Sequence, residues 1–540
     1  MDAANESVKP EVSQLPPSDE SATPPATVTT SRPKKSFIRA RWLRLRNRLY
    51  WFFPNWNAVN RADYSYERSH DVEENEKKRV PADLELRVPM VWGCELYGPA
   101  EISDLYAGLQ KLEWGIVSQV GDNDGIEKWV KQQRAYGREG GWLNGGRAIG
   151  LDQRGKYLGI NNYAPLPKGV SSLDVEVFQL SPSLTGVLVG FRLDSRMARR
   201  YEDEINREHK TYRKRISRST SISIIGPENQ KVDSIANVRS SLRRLVSDWY
   251  EQHLPGYFSA QDREEVFPIM ELLTVKKGPI LHEPPDTPRM ARVGWRWLLS
   301  RVSPTLVWTS QQNEGIQLVL GEDREKEGGR FITAAMDESR FSEESMKMYG
   351  GKSTDSLIYV GNQSLRYILP YAATMEYLKE QTRYLNISRE KLKKARAGRA
   401  NLSRTMQAIS QFFDQTLGVP ALARELQSKS KRPGVYRFDV PLFTAPGWGA
   451  LPEPQQLADD FQLGTHFMAS RLAEDEVAMR GHFEQLSSIL SIYESIKVQR
   501  RMQILTIVAL VVAVFSLLVA LAGLQAVADW VKGIWSNNFS

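Results

Sequence analysis

Apolar residues along this chain change their period as the chain proceeds. Between residues 81 and 356 they come in short runs bounded by Gly, Pro, Asn and Ser, the pattern of strands. Seven segments fit it: 86–95, 173–180, 186–193, 266–275, 305–309, 316–320 and 330–336. The second and third read as a hairpin turning at 181–185. Helical spacing marks 101–112, 195–218, 231–252 and 292–301. From residue 357 the period becomes helical and long. One helix is expected over 357–397, broken near Pro370, then others over 402–417 and 421–428. A Pro- and Gly-rich stretch, 432–454, predicts a bend, and a further helix runs from 454 to 498. The expected class is an α+β cytoplasmic domain followed by long helices, a helical stalk and one C-terminal transmembrane helix.

The membrane expectation rests on residues 502–528, which include no charged side chain. Their centre, 504–524, reads ILTIVALVVAVFSLLVALAGL. At about 1.5 Å per residue, 21 helical residues reach roughly 31 Å, close to the thickness of bilayer hydrocarbon. Lys497, Arg500 and Arg501 precede the run, while only Asp529 and Lys532 follow closely. Basic flanks favour the cytoplasmic side, so the N-terminus and the bulk are expected inside and 525–540 outside. Trp530 and Trp535 then fall where interfacial aromatic residues sit. The first 30 residues have no apolar core of a signal peptide, so insertion is expected to use the C-terminal segment. Within the run, Thr506, Ala509, Ala513, Ser516, Ala520 and Gly523 recur at spacings of 3 and 4. Small residues on one face let helix backbones approach closely in lipid, so this stripe is read as a packing seam of a homo-oligomer. Upstream, Met479, Phe483, Leu486, Leu490 and Tyr493 also follow a heptad. The two seams are offset by two residues and face nearly opposite directions on a straight helix.

A second membrane contact is expected near the N-terminus. Residues 36–53 read SFIRARWLRLRNRLYWFF, with Ile38, Trp42, Leu45, Leu49 and Phe52 at helical spacing and Arg39 and Arg46 between them. Residues 32–48 carry eight basic residues and no acid, whereas 1–31 carry one lysine against five acids. A basic amphipathic helix of this kind can lie in the headgroups of an anionic inner leaflet. Docking on the protein's own body is the alternative. Nucleic acid ranks last, because no recognition module accompanies the stretch. The expected organisation is a tail over 1–35, the basic helix over 36–54, a linker over 55–80, the α+β domain over 81–356, helices over 357–453, the stalk over 454–503, the span over 504–524 and the tail over 525–540.

Composition narrows the chemistry. One cysteine, Cys94, allows no internal disulfide, which suits a reducing compartment. The six histidines are scattered without zinc spacing. Neither Gly-x-Ser-x-Gly nor His-Glu-x-x-His occurs. No catalytic or metal residue and no cofactor is therefore assigned. Gly350–Gly351–Lys352–Ser353 ends like a phosphate loop, but Met346 stands where that loop needs its first glycine, so a turn is expected. The glycine-rich stretch 136–155 is read as turns or a loop, and as the rim of any ligand pocket. The helix expected at 195–218 has nine basic and four acidic residues and is read as a solvated helix with internal ion pairs, or else as a docking face for an acidic protein partner or the membrane surface.

Residues 486–515, LSSILSIYESIKVQRRMQILTIVALVVAVF, resemble the stalk-to-membrane junction of CorA-type magnesium transporters. The resemblance implies an oligomeric helical stalk below a cytoplasmic α/β domain. The family's Gly-Met-Asn motif is missing, since 521–529 read LAGLQAVAD, and so is a second span. No ion-binding residue is carried over. The leading expectation is a membrane-anchored sensing or scaffold module that oligomerises through stalk and span. Two alternatives stay open: a subunit of a CorA-like ion-conducting oligomer, and a membrane-tethered enzyme.

Overall fold

The computed structural model describes residues 58–114, 125–154, 162–215, 222–261, 267–281, 294–300, 306–321, 331–397, 418–446 and 454–538, together with Trp42, Leu45 and Lys156. It divides into two units, Met1–Tyr66 with Arg213–Ile224, and Glu67–Tyr212 with Ile225–Ser540. In the smaller, the Arg213 guanidinium lies 4.1 Å from the centre of the Tyr64 ring.

The strands in chain order are β1 (Arg87–Tyr97), β2 (Gly141–Gly150), β3 (Asn162–Ala164), β4 (Val170–Ser181), β5 (Leu184–Leu193), β6 (Tyr212–Arg215), β7 (Ile222–Ile225), β8 (Ile269–Val275), β9 (Trp308–Ser310), β10 (Ile316–Val319), β11 (Phe331–Asp337), β12 (Phe443–Ala445) and β13 (Gln455–Gln456). Strands β6 and β7 pair with each other. The other eleven form one sheet in the order β3-β2-β4-β5-β1-β8-β11-β10-β9-β12-β13. Pairing is antiparallel except for β2 with β3 and β8 with β11. All seven expected strands lie in this sheet. The expected hairpin is β4–β5, closing with Ser181 opposite Leu184.

Strand β2 was unexpected, because it lies inside the glycine-rich stretch. Its glycines serve close packing: a Cβ on Gly145 would sit 3.1 Å from side-chain carbons of Ile126 and Val175. Helix Ile126–Ala135 approaches the strand only because that position is bare. The helix expected over 195–218 is corrected to two short helices, Ser195–Ala198 and Arg200–Asn206, followed by β6. Ala198, Tyr201 and Ile205 are buried at helical spacing. The carbonyls of Ile205 and Arg207 at the helix end are then taken by the Lys231 ammonium. The break expected near Pro370 falls between helices Thr354–Leu365 and Ile368–Ala397. Pro370 is the third residue of the second helix, where a missing N–H costs nothing. Residues 81–356 and 357–453 share the sheet, since β12 returns to pair with β9.

Helices cover both faces of the sheet centre, so its strands are apolar on both sides. On one face, Tyr250 of helix Pro227–His253 donates from its hydroxyl to the Gly93 carbonyl (2.8 Å). On the other, a Cβ on Gly361 of Thr354–Leu365 would sit within 3.3 Å of Met336 and Leu272 side-chain carbons, so the helix lies close over these strands. The first face contains a buried charge. Glu271 of β8, 0% exposed, accepts from Arg239 (2.8 Å), from the Thr333 hydroxyl (2.9 Å) and from Tyr201. Arg239 also donates to the Leu299 carbonyl (2.7 Å). Every element meeting there is tied to one carboxylate. Replacing Arg239 with Met leaves that carboxylate buried without its cation. The expected loss is about 3–5 kcal/mol of stability in urea denaturation of the solubilised protein. Replacing Arg437, whose exposed pair with Asp459 is 2.9 Å, should cost under about 1 kcal/mol.

Candidate functional site

Helix Leu457–Asn538 is 82 residues long and unbroken. At about 1.5 Å per residue it reaches roughly 120 Å. Its first third is rooted in the domain. Leu457, Phe461, Ala469, Leu472, Met479 and Phe483 are buried, and the helix packs against Ile368–Ala397 and Val419–Ser430. Polar contacts fix its rotation. Gln462 donates to the Ser430 carbonyl (2.8 Å), Gln427 donates to Ser470 (3.0 Å), and Ser430 and His466 share a hydrogen bond (3.0 Å).

The helix Val419–Ser430 is itself clamped to the β4–β5 turn. The Glu425 carboxylate accepts from the hydroxyls of Ser181 (2.8 Å) and Ser183 (2.7 Å) and from the Ser183 amide (2.9 Å). One turn on, the buried Lys429 ammonium donates to the Leu180 carbonyl (3.0 Å). It lies 5.0 Å from the Tyr371 ring centre and 5.8 Å from that of Tyr436. Burial pushes Lys429 down to about 8, with Asp439 pulling the other way. Asp439 in turn accepts from the Tyr371 hydroxyl.

Beyond Phe483 the described side chains of the helix are exposed. Ser495–Lys532, 38 residues whose most apolar window has a mean hydropathy of 3.1, is long and apolar enough to cross a membrane, and none of that window is buried. Thr506, Ala509, Ala513, Ser516, Ala520 and Gly523 all lie on this exposed run. The hydroxyls of Thr506 and Ser516 each donate to the carbonyl four residues back (2.8 Å), to Met502 and Val512. A Cβ on Gly523 would meet nothing within 4 Å. Trp530 and Trp535 are 68% and 72% exposed. Of the upstream heptad, Met479 and Phe483 are consumed by the domain's own packing, while nothing is described for the side chains of Leu486, Leu490 and Tyr493. Trp42 and Leu45 are exposed; Arg39, Arg46, Leu49 and Phe52 lie outside the described residues, as does the helix expected over 402–417.

A separate concavity of about 300 Å³ is lined by Glu85, Arg87, Lys276, Glu338, Glu343, Lys352, Ser353, Thr354 and Leu357. The expected turn at Gly350–Ser353 forms its edge. Gly350 and Gly351 both have left-handed backbone (φ 87° and 96°), and the Ser353 hydroxyl caps helix Thr354–Leu365 at the Ser356 amide (3.2 Å). The glycine-rich stretch expected as a pocket rim contributes no lining residue here. Among the described residues no group of three or more His, Cys, Asp or Glu is placed to hold a metal ion. Cys94 is buried, and burial pushes its thiol well up. No family model, curated protein or solved structure matches the chain.

The depressed Lys429 has a measurable consequence. Between pH 8 and 10.5 the unfolded chain holds this proton and the folded protein has lost it, so stability rises with pH in that window. Lys429→Met should remove that increment, seen as a smaller gain from pH 8 to 10 in urea midpoints than the parent shows. Lys231, also pushed down to about 8 by burial, is present in both proteins and cancels from the comparison.

Proposed function

We propose that this protein is a single-pass membrane-anchored module, which carries its sheet domain on a rigid helical spacer and pairs with further copies through that helix. The observation that supports the anchor is the exposed helical segment Ser495–Lys532, with its uncharged run over 502–528, continuous with a helix rooted in the domain. An exposed apolar surface of that length is unfavourable in water and favourable in lipid. The basic residues Lys497, Arg500 and Arg501 ahead of it favour a cytoplasmic domain.

The spacer follows from counting. From Phe483, the last buried residue of the root, to Ile504 there are 21 residues, or roughly 31 Å of helix. That exceeds the ~8–10 Å over which charges are felt at physiological salt. The domain surface is thus held clear of the lipid field along the spacer. The basic segment 36–53 remains the part suited to touch an anionic leaflet.

Pairing is supported by the register left free. Because Met479 and Phe483 face the domain, the offset between the two seams ceases to be a conflict. Carried upward by alternating steps of 4 and 3, the small-residue stripe passes Met502, Gln499, Ser495, Ile492, Ser488, Gln485 and Gly481 to Ala478. No charged residue interrupts it, and those positions are exposed or half exposed. An unbroken 3.5-residue repeat is the condition for a left-handed supercoil. The self-bonded hydroxyls of Thr506 and Ser516 need no water, which favours packing over a wet pore.

The full-length protein should resist alkaline carbonate extraction and yield only to detergent; release by carbonate would sink the anchor. A chain ending at Arg501 should be released in part, because the segment 36–53 keeps a salt-sensitive hold, and complete solubility in low salt would remove that second contact. Ala513→Leu with Ala520→Leu should shift the detergent-solubilised protein to smaller species in sedimentation, and an unchanged profile would dismiss the packing face.

A further inference from the structure

The cleft beside the sheet is assembled from the ends of strands. Lys276 follows the last residue of β8 and Glu338 follows the last residue of β11, the parallel pair at the sheet centre. Arg87 begins β1 on the next strand, opposite Thr274. Side chains that leave the carboxyl ends of adjacent parallel strands diverge and create room, which is where ligands of open sheets sit. Here the room is about 300 Å³, at the lower end of small-molecule sites.

Its lining is evenly split, with three basic side chains, Arg87, Lys276 and Lys352, against three acidic ones, Glu85, Glu338 and Glu343. They are not evenly used. Glu85 takes both Arg87 and Lys276. Glu85 is also one of the two non-glycine residues with left-handed backbone among those described (φ 44°). Lys352, Glu338 and Glu343 form no ion pair among the described residues, although the Lys352 amide donates to Glu343 (3.3 Å). The cleft therefore offers one ammonium without an ion pair, next to the amino end of helix Thr354–Leu365, and two carboxylates without a cation, of which Glu343 lies against the Lys352 backbone amide.

We infer that this cleft binds a small zwitterion, a molecule carrying one carboxylate or phosphate and one ammonium within a few ångströms of each other. A simple anion meets two uncommitted carboxylates against one ammonium, and a simple cation leaves the Lys352 ammonium without a counter-charge. A zwitterion places its anionic end at Lys352 and the helix terminus and its ammonium at Glu338 and Glu343. Leu357 is the apolar wall, which limits the ligand to a short aliphatic body. This inference does not depend on membrane insertion or pairing.

The test uses the full-length protein in detergent, with thermal unfolding followed at 10 mM of each probe. The zwitterions are the free amino acids, tested singly, and phosphoethanolamine; the single-sign controls are acetate, inorganic phosphate and putrescine. At least one zwitterion should raise Tm by about 2 °C or more while the controls do not. A carboxylate winner against a phosphate winner identifies the anionic end. Lys352→Gln and Glu338→Gln, both at exposed or half-exposed positions, should keep the parent Tm without ligand and lose the shift. For the winning probe, calorimetric affinity should fall several-fold between 0.05 and 0.5 M NaCl. No shift from any zwitterion, an equal shift from a control, or a shift retained in both variants overturns the inference.

Discussion

Everything outboard of Phe483 depends on how firmly the helix Val419–Ser430 is wedged between the β4–β5 turn and the root of the long helix. A helix transmits orientation only if its base cannot rotate. Here the base is set by Glu425 on three donors of the turn and by Lys429 on the Leu180 carbonyl. Buried ionic contacts of this kind contribute modest net stability, because desolvation offsets much of the attraction. What they supply is a single allowed arrangement. An apolar substitute would pack in several registers along the same groove, and the far end of a 120 Å rod magnifies any error at its root.

The same use of buried charge recurs in the sheet. Glu271 gathers two helices, two strands and the Leu299 carbonyl around one carboxylate. On the opposite face, Glu176 accepts from Trp142 and Asn362, and Asn362 accepts from Trp92, joining β1, β2 and β4 to helix Thr354–Leu365. The central strands could slip by two residues without exposing apolar surface, since both of their faces are buried. A slip would strand these carboxylates, so the polar groups fix the register that the hydrophobic pattern leaves loose.

The strong periods were readable and the exceptions had local causes. Strands β1, β5 and β8 are mostly apolar runs and β4 carries apolar residues at the strand period, which a buried strand satisfies. Strand β2 was hidden because its glycines suggested turns, when Gly145 is bare for the sake of Ile126 and Val175. Strands β12 and β13 are three and two residues long and exist only because β9 offers an edge. The Met479–Phe483 repeat was legible as a seam but not as an internal one, since the core that buries it is built from residues far upstream. The cleft was least legible. Glu85, Lys276 and Glu338 are far apart in sequence, and only the pairing of β1, β8 and β11 brings them together.

The unbroken helix between root and apolar run also acts as an angular gauge. Each added residue lengthens it by about 1.5 Å and turns everything beyond by about 100°. A change of two residues would barely alter the reach but would swing the free face nearly to the far side of the rod. Seven residues change the reach by about 10 Å and restore the facing to within roughly 20°. Pairing through the free face, as proposed, would make the stretch between Phe483 and Ile504 tolerant of length in one unit only, the heptad, and rigid in phase at every other.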